Sequence, residues 1–336
     1  MEWTRATKGD GAMVDAAGKT CVVFGAAGFI GSHLCDRLLD AGVTVIGVDN
    51  ESTGRWENVE HLKGVDAFTS VNHDVTEPFR VDGPVDFVAN LASPASPMDY
   101  LRLPLQTLRA GSLGTERALD LATEHDARFL LTSTSEVYGE PSEHPQRETY
   151  WGNVNPNGPR SVYDESKRYA EALTMAYRRE HGTNTAIARV FNTYGPRMRI
   201  DDGRAVPAFI DAALRGDPLP IHGDGSQTRS LCFVSDLVEG LYLLLVSGAC
   251  GPVNLGNPEE VTVRELALAI AGEVGGPADL NFHPRPVDDP SRRCPDITVA
   301  QSQLEWTPRV DLAHGIAVTV RWFRERALPT TDTTEG

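Results

Sequence analysis

The chain has 336 residues, 40% apolar and 23% charged, a composition typical of one large globular domain or two closely joined ones. The formal net charge of −16 argues against a nucleic-acid partner, because an acidic surface repels phosphate backbones. The five cysteines form no C-x-x-C pair and no apolar run is long enough to cross a membrane, so we expect no metal site, no disulfide framework and no membrane association, and a cytoplasmic location.

The first half of the chain alternates short apolar runs with helical patterns. Strands are predicted at 20–25, 44–49, 85–92, 128–133 and 185–192, and helices at 29–42 and within 104–125. This alternation is typical of an α/β fold with a Rossmann-type, doubly wound parallel sheet. After about residue 195, Pro and Gly separate shorter elements, which indicates a smaller C-terminal lobe beside the carboxyl edge of the sheet, where ligands bind in such folds.

A glycine-rich turn, G-A-A-G-F-I-G, follows the first strand and opens the first helix. Gly25 permits the tight turn, Gly28 lets the backbone approach a pyrophosphate, and Gly31 allows close packing of helix and strand. Without a ligand, the same pattern would be a plain glycine turn. Asp49 favours the ligand because it ends the second strand, where a carboxylate binds the adenosine ribose and repels a 2′-phosphate. The sequence therefore predicts NAD rather than NADP, with Asp74 as a weaker candidate at the adenine.

A strand end rich in hydroxyl groups, T-S-T-S-E, precedes a Y-x-x-x-K pair. Tyr163 and Lys167 are four residues apart, so they share one face of a helix. The ammonium is expected to lower the pKa of the phenol, so that Tyr163 can take a proton from an alcohol as hydride leaves for a nicotinamide. Thr134 is placed to hydrogen-bond the same alcohol. Two surface residues would be the alternative interpretation.

These motifs, in this order, resemble the extended short-chain dehydrogenase/reductases that act on nucleotide sugars. The segments R-V-F-N-T-Y-G-P-R (189–197) and G-D-G-S-Q-T-R (223–229) fit the same superfamily, and the resemblance extends from about residue 19 to about 325. The tripeptide Thr134-Ser135-Glu136 is similar to that of the UDP-glucuronate decarboxylases, also called UDP-xylose synthases. The blocks N-L-A-S-P-A-S-P-M-D-Y (90–100), Y-W-G-N-V-N-P-N-G-P-R-S-V-Y-D-E-S-K-R (150–168) and D-D-P-S-R-R (288–293) agree with that family.

The resemblance implies a reaction and a set of residues. The C4 hydroxyl of UDP-glucuronate is oxidised, the 4-keto acid loses CO₂, and C4 is reduced again to give UDP-xylose, with NAD recycled. Thr134, Ser135, Glu136, Tyr163 and Lys167 are the implied catalytic residues, and Glu136 with Ser135 would hold a proton or water for C5. The implied cofactor-binding residues are Gly25, Gly28, Phe29, Ile30, Gly31, Asp49, Asn50, Asp74, Val75, Leu91, Tyr163 and Lys167, and the implied substrate-binding residues are Tyr100, Asn192, Arg229 and Arg293.

The resemblance also implies an organisation for the chain. We expect a flexible tail at 1–18, an NAD-binding Rossmann domain at 19–195, a mainly nucleotide-sugar-binding lobe at 196–325 with some segments returning to the first domain, and a second tail at 326–336. The helices near 104–125 and 163–180 match the helices through which the family forms homodimers.

Several positions depart from the family pattern. The chain has N-P-N-G-P-R where the family often has N-P-I-G-P-R, V-Y-D-E-S-K-R for C-Y-D-E-G-K-R, and G-S-L-G-T (111–115) for N-T-I-G-T. These changes leave a dTDP-sugar open as substrate. Three other functions also stay open: a UDP-glucuronate 4-epimerase, in which Arg199 would hold the substrate carboxylate; a non-catalytic nucleotide sensor; and a decarboxylase that releases the 4-keto pentose.

Overall fold

The structure is a computed structural model that describes residues 13–276, 278–285 and 292–327. The sequence predicts tails at 1–18 and 326–336, of which 1–12 and 328–336 lie outside the described residues. Residues 326 and 327, predicted as tail, instead end the last helix, Leu312–Ala327. Residues 13–18, predicted as tail, instead lie against the domain, since the Val14 amide donates to the Val246 carbonyl at 2.8 Å and Ala16 is buried. Because the backbone of this stretch is hydrogen-bonded to the domain, the ordered domain starts before residue 19.

The strands confirm the predicted α/β class. In chain order they are β1 (Thr20–Phe24), β2 (Thr44–Asp49), β3 (Phe68–Asn72), β4 (Phe87–Asn90), β5 (Arg128–Thr134), β6 (Thr185–Val190), β7 (Thr193–Tyr194), β8 (Leu219–His222), β9 (Thr228–Ser230), β10 (Cys232–Phe233), β11 (Pro252–Leu255), β12 (Glu260–Thr262) and β13 (Leu280–His283). Seven of them form the main sheet in the order β11-β6-β5-β4-β1-β2-β3, with every pair parallel. The strand order reverses between β1 and β4, and a ligand crevice is expected at the carboxyl ends of these strands.

Helices cover both faces of this sheet. They are α1 (Phe29–Asp40), α2 (Pro97–Arg102), α3 (Pro104–Arg109), α4 (Thr115–Glu124), α5 (Ser161–His181), α6 (Ala205–Arg215), α7 (Val234–Val246), α8 (Val263–Val274), α9 (Thr298–Leu304) and α10 (Leu312–Ala327). One turn of π-helix, Ala110–Gly114, joins α3 to α4, so the helical stretch predicted within 104–125 is interrupted. Buried apolar side chains form a core on each face of the sheet.

The second half of the chain builds a smaller lobe and also completes the first domain. Three two-stranded sheets, β10-β7, β12-β9 and β13-β8, belong to this half or border it. The strand β11 adds to the edge of the main sheet beside β6, and α7 packs against α1. The second half of the chain thus contributes a strand and a helix that pack on elements of the first half. Among the described residues, no helix is both long and apolar enough to cross a membrane.

Candidate active site

A cleft of about 440 Å³ lies at the carboxyl ends of β1, β4 and β5, between the main sheet and the second lobe. The glycine turn lines one end, the strand end Thr132–Glu136 and the N-terminal part of α5 line the middle, and Gln227, Arg229 and Pro220 line the other end. The position matches the crevice expected from the strand order. Motifs far apart in the sequence therefore meet in one cleft.

The glycine turn needs its glycines for steric reasons. Gly25 has φ +83°, and a Cβ there would lie 2.8 Å from the Leu91 carbonyl carbon. A Cβ on Gly31 would lie 2.0 Å from the Gly25 oxygen. The helix α1 starts after Gly28 without a side-chain cap and without an acidic residue in its first turn. Its amide groups and dipole therefore offer an anion site where Phe29 and Ile30 line the cleft.

Asp49 ends β2 and is joined to the glycine turn. Its carboxylate accepts hydrogen bonds from the Ala27 amide at 3.0 Å and from the Glu51 amide at 2.8 Å, and burial raises its pKa. A carboxylate beside an uncapped helix N-terminus fits a dinucleotide whose diphosphate binds the turn and whose ribose binds the acid. The residues present therefore fit NAD.

The other predicted cofactor residues differ in whether they line the cleft. Leu91, at the end of β4, lines the cleft together with the glycine turn. Asn50 donates to the Asp74 carboxylate at 3.0 Å, and Asp74 also accepts from the Thr76 amide and hydroxyl. Val75 is buried against Gly114. Asn50, Asp74 and Val75 do not line the cleft, so their roles at the adenine stay predictions.

Tyr163, Thr134 and Lys167 meet in the middle of the cleft. A hydrogen bond joins the Thr134 and Tyr163 side chains, and the Lys167 ammonium donates to the Thr132 carbonyl at 2.9 Å. The Lys167 nitrogen lies 5.9 Å from the centre of the Tyr163 ring. Tyr100 stacks on that ring at 5.3 Å between centroids. The structure thus brings together the predicted triad and the predicted substrate residue Tyr100.

The expected lowering of the pKa of Tyr163 is wrong for the protein alone. Burial raises the pKa of Tyr163 to about 12, and this effect outweighs the hydrogen bond from Thr134. Burial also lowers the pKa of Lys167 to about 8, partly opposed by Glu171. Sequence spacing places the two groups on one helix face but does not reveal the desolvation that both undergo.

Glu136 lies between two arginines. Its Oε2 accepts from Arg160 at 2.8 Å and from Arg293 at 2.9 Å, and all three side chains are largely buried. These cations hold the pKa of Glu136 at about 2 against the opposing effect of burial. The carboxyl group is therefore ionised at neutral pH, and it acts as a hydrogen-bond acceptor rather than as a proton donor.

The remaining predicted residues also line the cleft. Ser135 is buried next to Glu136, Asn192 follows β6, and Arg229 lies on β9. Arg293 is 1% exposed, and it also donates to the Gly139 carbonyl at 2.6 Å. The guanidinium of Arg293 therefore binds Glu136 and the turn that follows it. The sequence had predicted a role in binding phosphate for this residue.

Two site residues escaped the sequence argument. Arg160, three residues before Tyr163, lines the cleft and pairs with Glu136. Asp164 is buried next to Tyr163, and burial together with the nearby Glu136 raises its pKa to about 7. The block N-P-N-G-P-R-S-V-Y-D contains both residues. Only the observation that a buried carboxylate needs cations would have pointed to Arg160.

Comparisons with known proteins agree with this geometry. Residues 21–256 match the family described as "NAD dependent epimerase/dehydratase family". UDP-glucuronic acid decarboxylase 2 of Arabidopsis thaliana is 53% identical over 92% of this chain and 69% of its own length. The UDP-glucose 4-epimerase of Thermotoga maritima, solved with UDP-glucose, has a TM-score of 0.84 and 28% identity, and the match covers 92% of this chain and 100% of that one.

A further solved structure has both ligands bound. The UDP-glucuronic acid 4-epimerase of Bacillus cereus, in complex with UDP-glucuronic acid and NAD, has a TM-score of 0.81 and 27% identity, and the match covers 91% of this chain and 99% of that one. The fold and the cleft define an extended short-chain dehydrogenase/reductase. The chain belongs to the NAD dependent epimerase/dehydratase family.

Proposed function

We propose that the protein is a UDP-glucuronate decarboxylase, which converts UDP-glucuronate and a proton into UDP-xylose and CO₂. The observation that carries this proposal is Glu136, ionised between Arg160 and Arg293 and adjacent to the Thr134–Tyr163 pair. The name of the Arabidopsis relative supports the same activity. NAD, when bound, supplies the acceptor and then the donor of the hydride exchanged with C4 of the sugar.

Tyr163 and Thr134 act on the C4 oxygen. Tyr163 has to act as its phenolate, which nearby positive charge favours: the phenolate accepts the proton of the C4 hydroxyl when that carbon is oxidised, and the resulting phenol returns the proton when the carbon is reduced. The ketone at C4 is β to the C5 carboxylate, so loss of CO₂ leaves an electron pair that moves into the carbonyl as an enolate. Hydrogen bonds from Tyr163 and Thr134 stabilise the enolate oxygen.

The Glu136 cluster acts on the C5 side. Arg160 and Arg293 stay paired with Glu136 and keep its carboxylate ionised beside the C5 carboxylate of the substrate, where the repulsion of like charges limits how tightly that carboxylate is held. Once CO₂ has left, C5 needs a proton. Ser135 and Glu136 hold a water at this point. Asp164, buried next to Tyr163 and kept partly protonated by a pKa of about 7, does not line the cleft and supplies the proton through that water.

Arg199 argues against the epimerase alternative. An epimerase must hold the carboxylate of its substrate, and Arg199 was the cation considered for this task. Here the Arg199 guanidinium donates to both oxygens of the buried Asp99, at 3.0 and 2.9 Å, and also to the Thr53 carbonyl. An arginine paired in this way has little capacity for a second carboxylate.

Product analysis tests the proposal. Purified protein with NAD and UDP-glucuronate should yield one UDP-xylose for each CO₂ released, without net NADH. Formation of UDP-galacturonate without CO₂ would assign the protein as an epimerase instead. Accumulation of NADH with a 4-keto pentose would assign it as a decarboxylase that releases its intermediate. Parallel reactions with dTDP-glucuronate determine which base is preferred.

We infer that the protein forms a homodimer through α3 and α5. Leu101 is 55% exposed, Leu105 is 64%, Leu108 is 38% and Tyr169 is 52%, on α2, α3 and α5. So many exposed apolar side chains on adjacent helices are typical of an association surface. A second copy covers them by packing the same helices against each other. The molar mass in solution tests this inference.

The cysteines support a reducing compartment. All five lie in the described part of the chain as unpaired thiols, and burial raises the pKa of Cys21, Cys35, Cys232 and Cys294. Unpaired thiols are usual where glutathione and thioredoxin keep cysteines reduced. We therefore propose a cytoplasmic location, which imaging of a tagged chain in its own cell tests.

A further inference from the structure

The segment 292–296 brings Arg293 from the second lobe to Glu136. Arg293 is 1% exposed, and its guanidinium donates to the Glu136 carboxylate at 2.9 Å and to the Gly139 carbonyl at 2.6 Å. A buried guanidinium is stable only when its partners are held in place. The position of Arg293 therefore depends on what fixes the backbone of this segment.

Gln146 holds that backbone from one side. It is fully buried, although it lies in the irregular stretch between β5 and α5. Its amide donates to the Cys294 carbonyl at 2.8 Å, and its side-chain Oε1 accepts from the Cys294 amide at 2.9 Å. Its own carbonyl accepts from the Asp296 amide at 2.8 Å. Gln146 thus binds the residue next to Arg293 by both its backbone and its side chain.

Asn254 connects this contact to the main sheet. It is fully buried on β11, and its Nδ2 donates to the Gln146 carbonyl at 3.0 Å and to the Asp296 carbonyl at 3.1 Å. Its Oδ1 accepts from the Tyr138 hydroxyl at 2.8 Å. Tyr138 ends the short helical turn that contains Glu136. One side chain therefore links the Glu136 turn, Gln146 and the Arg293 segment.

We propose that Gln146 and Asn254 are positioning residues for the decarboxylation, which hold Arg293 against Glu136. The inference rests on the proposed function, and it concerns residues outside the cleft, since neither lines it. The amide side chains suit this task because each offers both a donor and an acceptor without a charge. A purely structural role would require only that the segment stay attached, and the backbone bonds of Gln146 would suffice for that.

The pKa of Glu136 depends on the position of Arg293, so a change in this pKa reveals a displacement of Arg293. Arg160, Arg293, Asp164, Tyr163 and Tyr100 are the titratable and charged groups that face this carboxylate. If Arg293 moves away, one of the two cations that stabilise the ionised form is weakened, so the pKa of Glu136 rises. The pKa of Asp164 rises for the same reason, since Arg293 lowers it. Because Asp164 is the proposed proton donor, a higher pKa keeps it protonated to higher pH, so the alkaline limb of the pH–rate profile shifts to higher pH and the loss of activity is smaller there.

The variant Gln146→Ala tests the proposal. It removes the Oε1 acceptor and keeps the backbone bonds to the segment. We expect kcat for UDP-xylose formation to fall roughly tenfold to 10²-fold, because a small displacement of a catalytic group has an effect of this size. The loss should be larger at pH 6 than at pH 8, while NAD affinity is unchanged. Gln301→Ala, an exposed glutamine on α9, is the matched control and should keep the wild-type profile.

A second variant and a direct titration also test the positioning role of Gln146. Gln146→Met keeps the volume of the side chain without the acceptor, and it should reproduce the shifted profile. A wild-type pH profile in a folded variant, or loss of folding in both variants, would overturn the positioning role. A carbon-13 titration of the Glu136 carboxyl, assigned with Glu136→Gln, should show a raised pKa in Gln146→Ala even if wild-type protein does not decarboxylate UDP-glucuronate. That readout separates failure of this inference from failure of the proposed function.

Discussion

Glu136 differs in character from the acid that the sequence suggested. The T-S-E motif predicted a carboxyl group at the strand end, and the hypothesis allowed it to carry a proton. Arg160 and Arg293 hold it ionised instead, with a pKa of about 2. Arg160 comes from the stretch before α5 and Arg293 from the second lobe, so local spacing could not reveal the pairing. The residue was predictable from the sequence, and its charge state was not.

Replacing Glu136 by glutamine should impair decarboxylation while the fold is kept. Glutamine has the same shape but loses the negative charge, so two cations are left facing the substrate carboxylate. We expect turnover to fall about 10²–10³-fold, the usual effect of losing one preorganised electrostatic group. Product formation by NMR and NAD affinity by calorimetry are the measurements. Near-normal turnover would make Glu136 a bystander.

The same variant should change the pH dependence of stability. The folded pKa of Glu136, about 2, lies below the ordinary value of 4.5, so its ionised form stabilises the fold above about pH 4.5. That contribution is lost as pH falls from 4.5 toward 2. Urea unfolding at pH 6 and at pH 3.5 should therefore show a smaller loss of stability for Glu136→Gln than for wild type. Equal losses would contradict the paired state of Glu136.

Replacing Tyr163 by phenylalanine should nearly abolish turnover. The ring keeps its stacking on Tyr100, but the group that exchanges the C4 proton is gone. General acid–base groups contribute about 10²–10⁴-fold. Tyr100→Phe is the control, because it keeps the stack and leaves the phenol of Tyr163 in place, and it should lose far less. Steady-state kinetics on both variants decides this, and a loss below about tenfold for Tyr163→Phe would remove that residue from the mechanism.

The sequence predicted the secondary-structure elements well where hydrophobic periodicity or polar residues at the strand ends marked them. The strand 44–49 was predicted with its observed bounds, and the strand at 185–192 ends two residues earlier, at Val190. The interruption at Ala110–Gly114 was not predicted. It places Gly111 against Ser166 of α5, and Gly114 against Val75. These partners are distant in sequence, so helical periodicity contains no signal for them.

The contact between Gly111 and Ser166 should set the position of α5, which carries Tyr163 and Lys167. A Cβ on Gly111 would lie 2.6 Å from the Ser166 Cβ and 2.8 Å from its carbonyl oxygen. Gly111→Ala should therefore lower the free energy of unfolding by about 1–3 kcal/mol, as overpacking does. Thermal and urea unfolding measure this effect.

A matched glycine provides the control. Gly272 lies on α8, and a Cβ there would meet nothing within 4 Å. Gly272→Ala should stabilise by up to about 1 kcal/mol through helix propensity. Ser166→Gly in the Gly111→Ala background should recover at most part of the stability, because it removes the Ser166 Cβ but leaves the close approach to the Ser166 carbonyl oxygen. If Gly111→Ala is as stable as Gly272→Ala, the close approach of the two elements does not constrain α5.

At the scale of the whole molecule, an acidic chain contains a cationic cleft. Among the described residues, the cleft is lined by Lys167 and by six arginines, in a protein with a net charge of −16; the arginines are Arg160, Arg197, Arg199, Arg204, Arg229 and Arg293. The composition gives only the net charge of the chain and could not locate this cluster. The cluster forms only when the second lobe folds over the sheet.

The assembly makes a further prediction. Leu105 is 64% exposed on α3, within the proposed dimer surface. Leu105→Glu should convert a dimer into a monomer, because two charges would be buried at the two-fold axis or near it. Leu268→Glu is the control, since Leu268 is 42% exposed on α8, away from this surface. Light scattering after gel filtration measures both, and a monomeric wild type would refute the dimer.

The strand β11 has a consequence for synthesis on the ribosome. It completes the sheet beside β6, yet the chain must first pass through α6, the small strands and α7. Until then β6 is an edge strand with unpaired backbone groups, which is a template for aggregation. A nascent chain that stalls near residue 195 would therefore expose a cofactor domain with an open edge. We expect such a chain to need a chaperone, and the domain to become independent only once its last strand has been translated.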